Sequence, residues 1–498
     1  MADVAEQLWT RLLGEAWAAL GPADPDDPDA ARGPLEVTGQ PGYLPSHLAV
    51  EDTAIACAGA ALLAAADWQA RCGGSRPRTA RLDRGHVAAV FRSEAYLRVN
   101  GEAAGAGFAP LSRFWRTSDG WVRTHANYPW HRAALLRALG TDGEQEPVAA
   151  ALAGLTAREA EDLVAGAGGI AAAVRSRTGW RAEPAGQAVA ASRLVEGQAV
   201  GTAPPRRRAP GAQPASGIRV LDLTRVIAGP VATRYLAALG ADVLRLDPPH
   251  RPELPLHARD GLLGKHSGLL DFGSRDGVAR LHELLDGADV LVHGYRPHAL
   301  DRFGLTADAL AEHHPGLVVV SLSAWGSTGP WGGRRGFDSI VQAACGIAVA
   351  ESPDGRRPGA MPCQLLDHGT GYLCAAAALR ALAAQAVRGG TQVRELCLAR
   401  TGQWLLEQGR PSGPDRTAGG PDGGPGGPDG GPGGPDGGPG RPDGGSGGPN
   451  GTDPAWLSEI GSAEGTMTVV RPPGQLDGRD LDWPAPLTRY GSDPPAWR

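Results

Sequence analysis

Between Gly217 and Leu322 the chain alternates short apolar runs with amphipathic stretches, and this constrains the fold more than anything else in the sequence. Ile218–Thr224 (IRVLDLT), Asp242–Asp247 (DVLRLD), Asp289–Tyr295 (DVLVHGY) and Leu317–Leu322 (LVVVSL) have the length and continuous apolarity of buried strands. Pro230–Leu239 places Val231, Tyr235, Leu236 and Leu239 on one helical face, and Asp276–Leu285 does the same with Val278, Leu281 and Leu285. Strands separated by helices imply βαβ units, so the expected class is α/β: a Rossmann-like parallel sheet with helices on both sides.

Composition excludes several functions. The chain has 498 residues, 42% of them hydrophobic, enough for about two to four domains with substantial cores. A net charge of −6 argues against a general nucleic-acid binder. Lys265 is the only lysine; this arginine bias, with the abundance of Ala, Gly and Pro, reads as the composition of a GC-rich coding sequence. The six cysteines form no CxxC pair, which predicts reduced thiols in a cytoplasmic protein. The acidic, amphipathic start lacks the form of a signal peptide, and no run of about 18 apolar residues predicts a membrane span. No HExxH or paired-cysteine pattern points to a metal.

Five regions follow. Residues 1–200 are Ala-rich and mostly helical in pattern. Residues 201–216 (GTAPPRRRAPGAQPAS) break all periodicity and mark a linker. Residues 217–410 hold the strand–helix alternation and a long Ala-rich helix, Gly369–Arg388. Residues 411–454 contain a decaying GGPDGGP heptad with nothing to bury, expected to be disordered. Residues 455–498 regain apolar character and are expected to dock on the main domain. A faint repeat links the halves: Cys57–Leu62 (CAGAAL) matches Cys374–Leu379 (CAAAAL), each followed by a Gly-Gly pair and then by Leu82-Asp83-Arg84 or Leu398-Ala399-Arg400. In this register Val50 stands at the position of Asp367.

Two segments have chemical potential. At Thr224–Pro230 a strand ends and a helix begins, and free N–H groups at such a helix start suit an anion or nucleotide. The motif is neither GxGxxG nor a phosphate loop, so NAD and ATP are not indicated. Asp367, in LLDHGTGYL, is either a helix cap or a nucleophile held where N–H groups stabilise negative charge. On local sequence alone a plain turn and a plain cap are the simpler readings.

Together the segments resemble family III CoA-transferases, the group of formyl-CoA transferase and carnitine CoA-transferase that also contains the α-methylacyl-CoA racemases. Gly217–Pro249 resembles the family's opening. Leu291–Leu305 (LVHGYRPHALDRFGL), Ser321–Ala343 (SLSAWGSTGPWGGRRGFDSIVQA) and Leu365–Leu382 resemble its later motifs, in the same order. The resemblance covers about residues 217–400. It implies CoA transfer from an acyl-CoA to a small carboxylic acid, with Asp367 as nucleophile and an aspartyl-CoA thioester as intermediate. It implies coenzyme A as the substrate carrier, held by Ile227, Ala228, Leu270, Asp271, Gly294, Tyr295, Arg296, Arg302, Arg335, Gly336, Phe337 and Asp338. Backbone N–H groups of Gly369 and Gly371 would support the oxyanions. The family's interlocked assembly implies a homodimer, without nucleic acid or membrane.

Departures from the pattern are Pro248 and Pro249, where many relatives carry basic residues that His250 or Arg251 would replace, Gly294 for Asn, and His298 for Gly. The racemase branch places a histidine before the aspartate at the position of Phe337, and a two-base racemase needs a proton carrier on each side of the carbon; Phe337 therefore favours transfer. Phe114–Gly140 resembles the family's smaller α+β domain but precedes the first strand, as expected if residues 1–200 are a degenerate second half with a structural role. His125 and His131 read as surface or packing residues, and Cys363 near His368 has no orienting third group. The alternatives are an acyl-CoA racemase or epimerase of the same fold, and a non-catalytic CoA-binding scaffold.

Overall fold

The computed structural model describes residues 2–22, 33–75, 77, 79–408 and 453–498. The Gly/Pro/Asp-rich heptads lie almost wholly outside the described residues.

Six parallel strands form the main sheet: Arg219–Leu223, Asp242–Asp247, His266–Leu269, Val290–His293, Val318–Ser323 and Thr391–Cys397. Numbered along the chain, they lie in the order 3-2-1-4-5-6, the doubly wound arrangement in which the strand order reverses between the first and fourth strands. The alternation of side chains explains why these runs are apolar throughout. Val220, Val243, Val290, Val292, Val318 and Val320 point to one face, and Leu221, Leu223, Leu244, Leu246, Leu291 and Val319 to the other, each in its own core. Helices Ala228–Ala238 and Leu365–Arg388 cover the valine face, and Arg275–Asp286 helps cover the leucine face. Each such side chain removed from water stabilises the fold by about 1.5–3 kcal/mol.

The smaller α+β unit is a three-stranded antiparallel sheet, Phe114–Arg116, Trp121–Thr124 and Ala171–Ala173, with helices Pro129–Leu139, Gln145–Ala153 and Ala157–Gly166. The TSDG turn closes its hairpin: Thr117 Oγ1 donates to Asp119 and accepts from the Gly120 N–H.

Two expectations about organisation need correction. The region before residue 200 does not stop at the linker, because Glu196–Val200 pairs antiparallel with Thr391–Cys397 and forms the seventh strand of the main sheet. The C-terminal stretch docks on both parts of the chain. Gly465–Val470 pairs with Arg98–Val99 and Gln475–Leu476 with Ala80–Asp83, while Trp497 Nε1 donates to the Leu284 carbonyl of the main domain.

The repeat is structural. Leu35–Thr38 and Ala80–Asp83 are parallel neighbours joined by helix Val50–Arg71, as Val318–Ser323 and Thr391–Cys397 are joined through helix Leu365–Arg388. The two helices pack against each other. Their alanines permit close approach, a Cβ built on Gly369 would lie 3.3 Å from Cys57 Sγ, and Asp67 pairs with Arg380 at 2.6 Å. Both are long and apolar enough to cross a membrane, yet 89% of that stretch in each is buried inside the protein, which makes them its central core helices. The six cysteines are free and buried.

Candidate active site

Asp367 lies in the first turn of helix Leu365–Arg388 and is buried, with 6% of its surface exposed. A helix start leaves N–H groups unpaired. Here the cap comes from another element: Asp338, first residue of helix Asp338–Cys345, accepts the Asp367 N–H through Oδ2 at 3.0 Å and also the Leu366 N–H. Gln342 Nε2 donates to Asp338 Oδ1, and the Met361 N–H holds the Gln342 Oε1 at 3.1 Å. Asp338 is therefore the cap, and among the described residues nothing hydrogen-bonds the carboxylate of Asp367.

That carboxylate is a poor place for charge. Burial, then Asp338, then Glu94 hold the Asp367 carboxyl well above the usual carboxylate range. Burial also raises Asp338, against its hydrogen bonds. The pair shares a low-dielectric site in which the capping bonds favour charge on Asp338.

Gly369 and Gly371 do not support oxyanions. The His368 N–H already donates to the Gln364 carbonyl, so N–H groups further along belong to the helix ladder. Their lack of a side chain serves packing: a Cβ on Gly371 would stand 2.5 Å from the Ala228 carbonyl oxygen, where helix Ala228–Ala238 crosses.

The remaining candidates gather at the carboxyl ends of the strands. Ile227 and Ala228 follow the first strand, and Gly294, Tyr295 and Arg296 follow the fourth, on either side of the reversal in strand order. The turn before Ile227 is strained: Val226, a β-branched residue, has φ +69°, and its N–H donates to Glu253 Oε2 at 2.8 Å. Glu253 accepts also from Arg245 and from the Tyr128 hydroxyl. Burial opposes its charge, but Arg245 and Arg225 hold it down to about 2.

A cavity of about 330 Å³ opens between the main domain and the smaller unit, lined by Arg296, Arg334, Arg335, Trp325 and Trp331 and, from the other side, by residues 162–171. Arg334 is neutralised by Asp162 at 3.0 Å. Arg296 donates to the Gly333 carbonyl, and Arg335 has no carboxylate partner among the described residues. The Arg335 guanidinium is lowered by burial and by Arg296 and Arg251, so at least three arginines share one field. Gly336 and Phe337 join this wall to Asp338. Asp367 lines neither this cavity nor the two others of comparable size.

Leu270 and Asp271 lie further out, after the third strand: Leu270 is in the core, and Asp271 accepts the Gly273 N–H at 2.8 Å. Arg302 sits on an exposed turn with its guanidinium over the Phe303 ring at 4.6 Å. His250 is exposed, while Arg251 lies over Trp130 at 5.0 Å. His125 and His131 are not surface residues; both are buried against Phe337, with ring centroids 3.8 and 5.9 Å away. Cys363 is buried and its thiol is pushed well up, which removes it as a nucleophile.

Three features escaped the sequence reading. Glu94 Oε2 lies 3.2 Å from His368 Nε2, Tyr128 reaches Glu253, and Lys265 is fully buried. Lys265 Nζ donates to Asp222 Oδ2 at 2.9 Å, Thr233 Oγ1 at 2.6 Å and the Pro230 carbonyl at 3.1 Å. Its isolation among 48 basic residues was the available sign: three convergent acceptors suit a point charge better than a planar fork.

Comparison with known proteins places these residues in context. Residues 215–410 match the family model described as CoA-transferase family III. The probable fatty acyl-CoA transferase Rv3272 of Mycobacterium tuberculosis is 34% identical over 185 residues, 34% of this chain and 47% of that protein. The formyl-CoA:oxalate CoA-transferase of Streptomyces coelicolor is 37% identical over 177 residues, 33% of this chain and 43% of that one. The solved structure of Rv3272 in an orthorhombic crystal form is 31% identical, covering 39% of this chain and 59% of that chain, with a TM-score of 0.37. The chain thus spans about half or less of the length of these curated relatives.

Proposed function

We propose that this chain, whose residues 215–410 match CoA-transferase family III, moves CoA from an acyl-CoA to a carboxylic acid with Asp367 as nucleophile. The observation behind this reading is the division of labour at one helix start. Asp338 satisfies the backbone, while among the described residues nothing donates to the carboxylate of Asp367, whose charge burial, Asp338 and Glu94 all oppose. A carboxylate made more basic than usual by burial is a better nucleophile once ionised.

The chemistry balances without an oxidant or a metal. The Asp367 oxygen attacks the thioester carbonyl, the C–S bond breaks, and CoA leaves as thiolate from an acyl-aspartyl anhydride. The thiolate attacks the aspartyl carbonyl, freeing the donor acid and leaving an aspartyl-CoA thioester. An acceptor carboxylate attacks that thioester, the thiolate departs, and it then attacks the acceptor's carbonyl to regenerate Asp367. Thioester energy stays on the protein throughout. Arg296 and Arg335, with Arg251 nearby, supply positive charge for the CoA phosphates, and Ile227, Ala228, Gly294 and Tyr295 supply the crevice. Gly336 and Phe337 form the approach to Asp338; Leu270, Asp271 and Arg302 complete the proposed CoA contacts. We take a homodimer as the proposed assembly, to be checked by light scattering, and the cytoplasm as the proposed compartment, which suits six buried free thiols.

Incubation with a panel of acyl-CoAs followed by intact-mass measurement tests the reading. The expected product is a CoA adduct on Asp367, absent from Asp367→Ala. No adduct and no transfer with any acyl-CoA would overturn it.

One observation favours a second reading, an acyl-CoA racemase. His125, from the smaller unit, stacks on Phe337 and leaves its Nδ1 buried without a partner, so an imidazole stands beside the position where the sequence lacks one. Exchange of the substrate α-proton for deuterium without CoA transfer would select it.

A further inference from the structure

The N-terminal half contributes a carboxylate next to the nucleophile. Glu94 belongs to the single turn Ser93–Tyr96, which the sequence reading placed in a structural region. Its Oε2 stands 3.2 Å from Nε2 of His368, the residue that follows Asp367 in the helix. The imidazole is fully buried, and its ring lies against Phe91 with centroids 5.4 Å apart. Its Nδ1 is buried without a partner, so the Glu94 contact is the only polar restraint on the ring among the described residues.

Resting on the transferase reading above, we propose that Glu94, acting through His368, is a positioning residue that couples the N-terminal half to Asp367. The contact holds the first turn of the helix at His368, while Asp338 caps its backbone. It also sets a negative charge near Asp367, one of the two that join burial in raising its carboxyl. Burial works against charge on Glu94, but His368, with a smaller contribution from His257, holds it below the usual range, so Glu94 is the ionised member. The other charged groups around this cluster are committed elsewhere. Arg234 pairs with Asp260 at 2.6 Å and donates to Ser93, and Arg92 lies over Tyr96. Tyr372, against Phe91, is held neutral by burial, as is Cys363.

The two functions of Glu94 separate by substitution. Glu94→Gln keeps an acceptor for His368 Nε2–H and removes the charge; Glu94→Ala removes both. The Gln variant should retain kcat within about threefold and show the acid limb of kcat at lower pH, because Asp367 loses a neighbouring negative charge. The Ala variant should lose on the order of 10- to 100-fold in kcat through misplacement of the nucleophile, with KM for acyl-CoA unchanged because the arginine wall is untouched. Circular dichroism and thermal melts establish that each variant folds. A carbon-13 titration of the Asp367 carboxyl, without substrate, reads the same coupling independently of turnover, and its midpoint should fall in Glu94→Gln. If that midpoint stays in place and the Ala variant turns over like the parent, the inference fails. If the parent forms no adduct at Asp367, the transferase reading fails, and the titration still decides the coupling.

Discussion

The two βαβ units of this chain begin their long helices in opposite ways. In the unit around Leu365–Arg388, Asp338 caps the helix, and among the described residues nothing hydrogen-bonds the carboxylate of Asp367. In the unit around Val50–Arg71, Val50 occupies the corresponding position, and the acid beside it is fully engaged. Glu51 Oε2 accepts the N–H groups of Gly42, Tyr43 and Leu44, and its Oε1 pairs with Arg84 at 3.2 Å. Asp52, at the position of Gly369, has one oxygen without a partner and is raised to about 6 by burial, against the pull of Arg84. At the first helix start the carboxyl of Asp367 takes no part in the cap; at the second, Glu51 holds a loop. The difference between Asp367 and Glu51 lies not in their place at a helix start but in whether their oxygens are already used.

The contrast can be broken most sharply by exchanging roles. Asp367→Ala should lower CoA transfer by about 10⁴-fold or more, as loss of a nucleophile does, measured as acyl-CoA consumption at saturating acceptor. Glu51→Gln should leave transfer within about threefold while costing about 1–3 kcal/mol in urea unfolding, since it weakens a buried, multiply bonded charge. Equal effects of the two on turnover would erase the distinction.

Next in size is the network around Lys265 in the main domain. Asp222→Ala would strand the Lys265 ammonium in the core, where its pKa is already drawn down to about 8 by burial against the pull of Asp222. Breaking such a pair from one side costs about 3–5 kcal/mol. Urea unfolding of the variant near pH 7 should show this loss, and a cost below about 1 kcal/mol would mean that the pair is dispensable.

The smallest effect sharpens the view of Asp367. Its folded pKa lies above its unfolded value of about 3.9, so between the two the folded state holds the extra proton. Stability therefore falls as pH rises through that window. Asp367→Asn carries no such charge and should melt above the parent at pH 8, with the gap closing towards pH 4. A gap independent of pH would show that burial of this carboxyl costs nothing.

Much of the main domain was legible in the chain, for reasons visible in the cores. Valine and leucine alternate between two buried faces, so the first, second, fourth and fifth strands read as continuous apolar runs. His266–Leu269 did not, because HSGL has no β-branched residue and its Gly268 gives way to the closely packed C-terminal segment at Asp493 and Pro495. Glu196–Val200 was lost in a region read as helical, being a mostly exposed edge strand with little apolar pattern to show. The place of Asp367 at a helix start was legible in its surrounding motif, whereas Glu94 meets His368 across 274 positions of sequence, and no local pattern records that meeting. Gly369 and Gly371 misled because glycine beside a reactive acid suggests exposed backbone; here it records two helices in close contact.

The pairing of helices Val50–Arg71 and Leu365–Arg388 separates the unit of ancestry from the unit of folding. Residues 215–410 match the family model, yet cut out alone they would show water an alanine-lined flank and an unpaired sheet margin at Thr391–Cys397. The stretch that matches the family model is thus closed by helix and strand from outside it.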